Sequence, residues 1–455
     1  MTRRTRIIIM GAGGRDFHSF NTLYRDDPAH EVVAFTAAQI PGLAGRRYPP
    51  TLAGPLYPDG IAIRDETELE ALIRDRAVDR VVLAYSDLAH VAVMERASRA
   101  LAAGAEFALP DPQRSMLPAP LPVIAVCAVR TGCGKSQVAR WIGRMLAERG
   151  LRVGVIRHPM PYGDLAEQAV QRFARLEDLD AARCTLEERE EYEPHIAAGL
   201  AVYAGAETAA VLAAAAQGSD LLLWDGGNND FPFIRPDLLI VLADALRPGH
   251  ERLFHPGEAV LRRADIVLIA KANAAPEPDV AKVAGSVRTL NPRATVLRGA
   301  SVVGLDDPAS VRGRRVLVVE DGPTLTHGGM ASGAGLVAAR EAGAAEIVDP
   351  RASATPEIAA LFETYPQLGP VLPAMGYSEA QCRALVATIA ASRAELVVTG
   401  TPADLTRLLA GVRPVVRARY DFAEMDTPGL GAMIDAFLVR HGLAAGPDQA
   451  AAAPK

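Results

Sequence analysis

Residues 123–136 read VIAVCAVRTGCGKS, and this stretch decides the fold. The apolar residues 123–129 predict a buried β-strand, and residues 136–148 have the pattern of a helix. Between strand and helix, glycines allow the backbone to turn its N–H groups towards phosphate oxygens, and the helix N-terminus favours negative charge. The stretch therefore predicts a P-loop that binds ATP or GTP.

The P-loop residues have distinct expected roles. Lys135 is expected to bridge the β- and γ-phosphates, and the Ser136 hydroxyl to bind Mg²⁺. Arg130 stands where a subset of P-loop proteins carry a lysine that reaches across a dimer interface, which favours a homodimer. The residues predicted to bind the nucleotide here are Arg130, Thr131, Gly132, Cys133, Gly134, Lys135, Ser136 and Gln137.

A second acidic position follows another apolar strand, because residues 221–230 read LLLWDGGNND. This strand brings Asp225 to the carboxyl edge of the sheet, where it is expected to bind Mg²⁺ through water and to act in catalysis. Gly226 and Gly227 allow the backbone to approach the γ-phosphate. Asp230 is a further candidate in the same loop.

Residues 266–273, IVLIAKAN, occupy the place where GTPases carry Asn-Lys-x-Asp to recognise the base. Lysine is rare in this chain and occurs only at 135, 271, 282 and 455, so its presence at Lys271 indicates a role that Arg cannot fill. The stem of Lys271 is expected to cover the P-loop. Asn273 replaces the guanine-binding Asp, which favours ATP over GTP.

Residues 318–330, VVEDGPTLTHGGM, gather two acids, a histidine and glycines after an apolar strand. These groups can bind metals, transfer protons and bind anions. We therefore expect Asp321 and His327 to be catalytic.

The N-terminal stretch 7–18, IIIMGAGGRDFH, is similar to a dinucleotide fingerprint but has Asp16 where the third glycine belongs. Nicotinamide binding is therefore not expected. The loop still offers N–H groups, and cations from this loop and the next one are expected to converge on a polyanionic substrate. The residues predicted to bind that substrate are Gly13, Gly14, Arg15, His18 and Arg46.

Strands that alternate with helices predict an α/β fold in three units. We expect a Rossmann-like N-terminal domain over 1–108, a proline-rich extended linker over 109–122, and a P-loop core with a mainly parallel sheet over 123–345. A small α/β region over 346–443 and a flexible tail over 444–455 follow. Residues 314–320 are expected to complete the core sheet, and the polar residues 164–193 to form a helical lid.

Composition excludes several classes of function. The chain has 455 residues, 49% of them hydrophobic, and a net charge of -6, which argues against nucleic acid as the main partner. No apolar run has the length of a membrane-spanning helix, and none of the four cysteines forms a C-x-x-C pair. We therefore expect a cytoplasmic protein without a disulfide framework.

Taken together, these motifs resemble the cyclic 2,3-diphosphoglycerate synthetases and their bacterial relatives within the P-loop NTPase superfamily. The resemblance extends over nearly the whole chain and rests on residues 11–18, 130–136, 225–230, 320–330 and 417–420. The run Glu-Asp-Gly-Pro-Thr at 320–324 is its most specific part.

This resemblance implies a homodimeric enzyme that requires ATP and Mg²⁺ and closes 2,3-diphosphoglycerate into a cyclic pyrophosphate, releasing ADP and phosphate. Lys135, Ser136 and Asp225 would then act on ATP and Mg²⁺, and Arg15, His18 and Arg46 would bind the phosphorylated acid. Two alternatives share the P-loop: a GTPase that acts as a nucleotide switch or metallochaperone, and an ATP-dependent ligase of another small acid.

Overall fold

The computed structural model of the protein describes residues 3–38, 43–158, 160, 163–227, 229–326, 328–374, 379–402 and 404–443. Most of its strands lie in a six-stranded and a thirteen-stranded sheet, in which parallel pairs predominate and helices cover the faces. The predicted α/β fold class is confirmed. Within the described segments, we find no helix with the length and apolar character needed to span a bilayer.

The N-terminal unit is a Rossmann-like sheet with flanking helices. Its strands are β1 (Thr5–Met10), β2 (His30–Ala37), β3 (Arg47–Tyr48), β4 (Ile61–Asp65), β5 (Arg80–Leu83), β6 (Leu88–Ala89) and β7 (Glu106–Ala108). Its helices are α1 (Arg15–Leu23), α2 (Pro50–Ala53), α3 (Leu69–Asp75) and α4 (His90–Ala103), and α5 (Pro112–Ser115) follows. The strand order is β3-β4-β2-β1-β5-β7, and every pair except β3–β4 is parallel.

The P-loop unit forms one half of the larger sheet. Its strands are β8 (Val123–Ala128), β9 (Val153–Ile156), β10 (Gln171–Phe173), β11 (Ala201–Ala204), β12 (Leu221–Asp225), β13 (Leu238–Asp244), β14 (Phe254–His255), β15 (Ile266–Ala270) and β16 (Thr295–Leu305). Its helices are α6 (Lys135–Glu148), α7 (Leu176–Ala181), α8 (Leu186–Ala197), α9 (Thr208–Gln217), α10 (Gly257–Leu261) and α11 (Glu277–Leu290). β8 lies between β12 and β13, so the P-loop leaves the middle of this half-sheet.

The third unit contributes the other half of the same sheet. Its strands are β17 (Arg315–Asp321), β18 (Glu346–Ile347), β19 (Leu372–Ala374), β20 (Leu396–Thr399) and β21 (Val415–Glu424). Its helices are α12 (Pro308–Val311), α13 (Gly322–Thr326), α14 (Ala334–Glu341), α15 (Pro356–Thr364), α16 (Glu379–Ala391) and α17 (Leu430–Arg440). β16 joins the halves, because its first residues pair in parallel with β15 and its last residues pair antiparallel with β21.

The position of β17 corrects one expectation. We expected residues 314–320 to complete the sheet of the P-loop unit, but β17 pairs in parallel with β18, β19 and β20 of the third unit. β21 takes the place beside β16 instead. Residues 316–319 consequently lie in a second apolar core, separate from the core around β8.

The proline-rich segment also differs from the expected extended linker. It contains the short helix α5, because Pro112 suits the first helical position and the Asp111 side chain accepts a hydrogen bond from Gln113 N. Leu117 then pairs with Ile234 in an isolated bridge. The segment is therefore attached to the P-loop unit and does not run free between the domains.

Helix α17 returns from the third unit to the P-loop core. Leu430, Ile434, Phe437 and Leu438 are buried in the same apolar cluster as the strands around β8. The Phe422 ring of β21 also contacts the Trp141 ring of α6, with ring centroids 5.0 Å apart. Helix α17 and strand β21 thus pack directly against the core of the P-loop unit and its helix α6.

We predict that Phe437→Ala lowers the free energy of unfolding by about 3–5 kcal/mol, because it leaves a cavity in a packed core. Val439→Ala, on the exposed side of the same helix, should change it by less than about 0.5 kcal/mol. Urea denaturation followed by circular dichroism measures both variants. Equal stability of the two would contradict the packing of α17 against this core.

Candidate active site

The P-loop has the conformation that phosphate binding requires. It connects β8 to α6, and Gly132 and Gly134 both adopt positive φ values, 78° and 98°. Side-chain-bearing residues rarely adopt such values, so glycine is needed at both places. Because α6 begins at Lys135, its free N–H groups and positive dipole end face the space enclosed by the loop.

A cavity of about 570 Å³, here called the nucleotide cavity, lies over the P-loop. Most of the residues predicted to bind nucleotide line it, as does the predicted catalytic residue Asp321. The lining residues that were predicted to bind nucleotide are Arg130, Thr131, Gly132, Gly134, Lys135, Ser136, Gln137, Gly227, Lys271 and Asn273. Cys133 is the exception, because its side chain is buried in the apolar core. His327 lies outside the described residues.

Asp225 is the centre of a buried charge network. Its Oδ1 accepts a hydrogen bond from Lys135 Nζ at 2.6 Å, and its Oδ2 accepts bonds from Arg157 Nη1 at 2.6 Å and His195 Nε2 at 2.7 Å. Burial opposes ionisation of this carboxyl. The charges of Arg157 and Lys135 and the bond from His195 outweigh burial and hold the pKa of Asp225 well below its usual value.

A second buried carboxylate, Asp244, holds the outer side of the P-loop through two cations. Lys271 Nζ lies 2.9 Å from Asp244 Oδ2 and donates to the Gly132 carbonyl at 2.6 Å. Arg247 pairs with Asp244 at 2.7 Å and donates to the Thr131 carbonyl at 2.9 Å. These bonds use the carbonyls of the loop and not its N–H groups.

Arg130 connects the P-loop to the N-terminal unit of its own chain. Its guanidinium donates to Asp87 at 2.6 Å and lies 3.5 Å from the centre of the Phe254 ring. Its side chain is 5% exposed. The Asp87 carboxylate also accepts the backbone N–H of Thr131 at 3.3 Å. The arginine that suggested a dimer contact therefore makes an internal contact here.

Both polar atoms of the Asn273 side-chain amide form hydrogen bonds with the backbone of Ser301. Its Nδ2 donates to the Ser301 carbonyl at 3.1 Å, and its Oδ1 accepts the Ser301 N–H at 2.9 Å. Ser301 lines the same end of the cavity. Asn273 thus joins the loop after β15 to β16.

Three of the carboxyl groups in the cavity wall accept hydrogen bonds from residues of the third unit. Glu320 is buried and accepts the N–H groups of Gly333, Gly335 and Leu336. Burial nevertheless raises the pKa of Glu320 to about 7, because it outweighs these bonds. Asp321 accepts hydrogen bonds from Thr324, and Glu190 of α8 accepts one from Thr401.

A smaller cavity of about 140 Å³ opens beside the first. The two cavities share Glu190, Glu191, Gly227 and Pro323 in their walls. The smaller one also reaches the glycine-rich loop after β1, including Gly13, Gly14 and Arg15. The smaller cavity therefore lies between the N-terminal unit and the end of the nucleotide cavity that Gly227 and Pro323 line.

The glycine-rich loop does not offer its N–H groups to an anion, contrary to our expectation. The Asp16 carboxylate accepts the N–H groups of Gly13 at 2.9 Å and Gly14 at 3.0 Å. A Cβ at Gly11 would lie 2.5 Å from Asp16 Oδ2, so the carboxylate fills the turn. A side chain of the protein therefore already occupies the anion-binding position of this loop.

The three expected substrate cations do not converge in the smaller cavity. Arg15 lines it but forms a salt bridge with Asp230 and donates to the Phe231 carbonyl at 2.6 Å. His18 is buried and stacks on Phe233 with ring centroids 4.1 Å apart. Burial, and then the charge of Arg15, lower the pKa of His18 to about 3, so it is neutral.

The ring nitrogens of His18 hold the two units together. Its Nε2 donates to the Ser115 carbonyl at 2.7 Å, and its Nδ1 accepts from the Thr208 hydroxyl at 3.2 Å. Arg46, the third expected cation, donates to the Gly163 carbonyl. The distant partners of these side chains explain why the sequence alone misplaced them.

Several residues of the site were not predicted from the sequence. They are Arg157, Glu190, Glu191, His195, Asp244 and Arg247. A signal existed for Asp244, because it ends an apolar strand as Asp225 does, and Arg157 directly follows one. Helix α8 offered a weaker signal in the spacing of Glu187, Glu190 and Glu191, which places three acids on one helical face.

The fold and this site define a P-loop nucleotide-binding enzyme. The chain is 52% identical to the arginine synthetase ArcE of Thermococcus kodakarensis over 433 residues. The alignment covers 95% of this chain and 97% of the relative. The chain therefore belongs to the arginine synthetase ArcE family. The predictions of the P-loop superfamily and of an ATP-dependent synthetase are confirmed, whereas the relative's name concerns arginine and not diphosphoglycerate.

Other comparisons give weaker similarity. LpxK from Aquifex aeolicus, solved in complex with ATP, is 14% identical with a TM-score of 0.41. The alignment covers 72% of this chain and 90% of the LpxK chain. The hydrogenase maturation factor HypB from Archaeoglobus fulgidus is 16% identical with a TM-score of 0.21, and the alignment covers 39% of this chain and 78% of the HypB chain. No protein-family model matches the chain.

We predict that Asp244→Asn raises the KM for ATP by about 10-fold, because each charge-assisted hydrogen bond it weakens contributes about 1.5–3 kcal/mol. The substitution loosens Lys271 and Arg247 on the P-loop carbonyls, whereas Asp244 itself does not line the cavity. Steady-state kinetics with varied ATP measure the effect. Asp220→Asn, in a surface pair with Arg152, is the matched control, and equal KM values in the two variants would contradict the role of Asp244.

Proposed function

We propose that this chain uses ATP to form arginine, the amino acid in the name of its relative from Thermococcus kodakarensis. The observation that carries the proposal is the acidic cavity beside the phosphate end of the nucleotide cavity. A molecule in the smaller cavity would lie next to the terminal phosphate of a nucleotide in the larger one. Such proximity is what phosphoryl transfer to a second substrate requires.

The charges around the smaller cavity suit a cation. Its wall includes five carboxyl groups, those of Asp16, Glu187, Glu190, Glu191 and Asp230. Arg15, which lines this wall, is paired with Asp230. Burial, together with neighbouring cations, lowers the pKa of the nearby His158 to about 3. A guanidinium group can donate paired hydrogen bonds to carboxylates of this wall.

The same wall gives less support to the diphosphoglycerate reaction that the sequence resemblance implied. A molecule with two phosphates and a carboxylate needs unpaired cations or free N–H groups. Arg15 is paired with Asp230, Asp16 occupies the N–H groups of the loop, and His18 is neutral and buried. Arginine therefore fits the described wall better than a phosphorylated acid.

Formation of a guanidinium group from a ureido group would use ATP in the nucleotide cavity and the ureido compound in the smaller cavity. A ureido group, which has oxygen where the guanidinium has a nitrogen, becomes reactive when that oxygen receives the terminal phosphoryl group of ATP. A nitrogen nucleophile can then displace phosphate. We propose that the P-loop N–H groups and Lys135 hold the triphosphate, and that Lys135 moves from Asp225 to the phosphates as ATP binds.

Mg²⁺ fits this arrangement. The Ser136 hydroxyl lines the nucleotide cavity, and Asp225 Oδ1 has Lys135 as its described partner. Once Lys135 contacts phosphate, Ser136 and Asp225 would together hold Mg²⁺, the latter through water. The bound ion would neutralise charge on the phosphates. Asp321 is proposed to act in catalysis across from the P-loop.

ATP is the proposed nucleotide. Guanine recognition uses a carboxylate that accepts from two donors of the base, and Asn273 has no carboxylate. Its amide is moreover bound to Ser301 at both ends. A homodimer remains a proposal that rests on the sequence resemblance, because Arg130 contacts Asp87 of its own chain.

We predict that the purified protein with Mg²⁺ forms ATP from ADP and phosphate only when arginine is present, since a synthetase catalyses its reaction in both directions. A luciferase assay measures the ATP. Parallel incubations of ATP with 2,3-diphosphoglycerate, followed by phosphorus NMR, test for a cyclic pyrophosphate.

Two controls give this experiment its meaning. Lys135→Ala removes the phosphate-binding ammonium and should abolish ATP formation, whereas Lys282→Ala, on α11, should leave it unchanged. Formation of a cyclic pyrophosphate without any reaction of arginine would reject the arginine proposal in favour of the diphosphoglycerate reaction.

A further inference from the structure

Two carboxyl groups meet where the nucleotide cavity joins the smaller cavity. Glu190 lies in the wall of both cavities, and Asp321 lies in the wall of the nucleotide cavity beside Pro323, which both cavities share. The atom that receives a phosphoryl group, and the atom that later displaces phosphate, must both come to this junction. Groups here are therefore positioned to exchange protons with the reacting substrate.

Glu190 is presented by helix α8 and is 6% exposed. One of its oxygens accepts a hydrogen bond from the Thr401 hydroxyl, and its carboxyl group lies near that of Asp321 in the same cavity wall. Asp321 Oδ2 accepts the N–H of Thr324 at 3.0 Å as well as the Thr324 hydroxyl. Two carboxyl groups this close favour a single shared proton, because two carboxylates would repel each other.

The groups around this pair favour the shared proton. Glu187 of the same helix adds negative charge near Glu190, and Glu320 does so near Asp321. The adjacent Glu191 is matched with Arg157 in an ion pair, so it is held as a carboxylate. Burial, and then the charge of Asp321, raise the pKa of Glu190 well above its usual value.

We propose that Glu190 and Asp321 act as one proton-accepting pair that deprotonates the nitrogen nucleophile in the arginine-forming step. This rests on the proposed function. The nucleophile, ammonia or an amine, forms a C–N bond with the ureido carbon after its oxygen has been phosphorylated. The C–O bond breaks with its electron pair on the departing phosphate, and the proton lost by nitrogen goes to the carboxylate of the pair.

The test separates the two halves of the reaction. Citrulline, the ureido counterpart of arginine, is incubated with ATP labelled with ¹⁸O at the β,γ-bridge, and positional isotope exchange reports phosphoryl transfer without a nitrogen nucleophile. Arginine formation is then measured with ammonium. Glu190→Gln should leave isotope exchange near the wild-type rate and slow arginine formation by about 100-fold, the lower range for loss of a general base.

Hydroxylamine distinguishes proton transfer from structural damage. Its nitrogen becomes more acidic on attack than that of ammonia and can lose its proton to water, so hydroxylamine should restore most of the rate in Glu190→Gln. Asp321→Asn should give the same pattern. Glu193→Gln, on the same helix in a pair with Arg189, is the matched control and should behave as wild type.

Each other outcome has a definite meaning. Equal losses with ammonium and hydroxylamine, parallel loss of isotope exchange, or no loss in Glu190→Gln would overturn the role of the pair. If the wild-type protein itself shows neither citrulline-dependent isotope exchange nor arginine formation, the proposed function fails, and this role for the pair fails with it.

Discussion

The buried carboxylate of Asp225 is the interaction on which the site depends. It ends β12 and contacts Lys135 of the P-loop, Arg157 after β9 and His195 of α8. Arg157 in turn pairs with Glu191, whose side chain faces both cavities. One carboxylate therefore connects the P-loop lysine to helix α8, which contributes Glu190 and Glu191 to the cavity walls. A buried charge requires such partners, because an unpaired carboxylate in this position would be strongly destabilising.

A similar arrangement holds the outer face of the loop. Asp244 ends the strand on the other side of β8 and anchors Lys271 and Arg247 against P-loop carbonyls. The strand that leads into the P-loop thus lies between two strands that each end in a buried acid. Both acids are at the carboxyl edge of parallel strands, where an α/β sheet places its binding sites. This position explains why the nucleotide cavity forms here.

The sequence was informative wherever one short segment determines the geometry. Strand, glycine turn, lysine and helix at 123–148 are local, and the structure has them in this order. The position of Lys271 on the Gly132 carbonyl also agrees with what its motif predicts. The partners of Arg15 and His18 were not predictable in this way, because Asp230, Phe233 and Thr208 lie about two hundred residues further along the chain.

The position of β17 failed for the same reason. Its apolar residues fit either half of the large sheet, and only the antiparallel pairing of β16 with β21 decides between them. Asp16 was different, since an acid two residues after Gly14 can bind the N–H groups of its own turn. Local chemistry could have predicted that the loop is closed to anions.

The central claim is that the acidic cavity beside the P-loop accepts the guanidinium of arginine. A crystal structure with arginine and a non-hydrolysable ATP analogue tests it most directly. The account predicts the triphosphate on the P-loop and the guanidinium against Glu190 and Glu191, within reach of the terminal phosphate. Arginine bound elsewhere, or an anionic ligand held in this cavity, would contradict it.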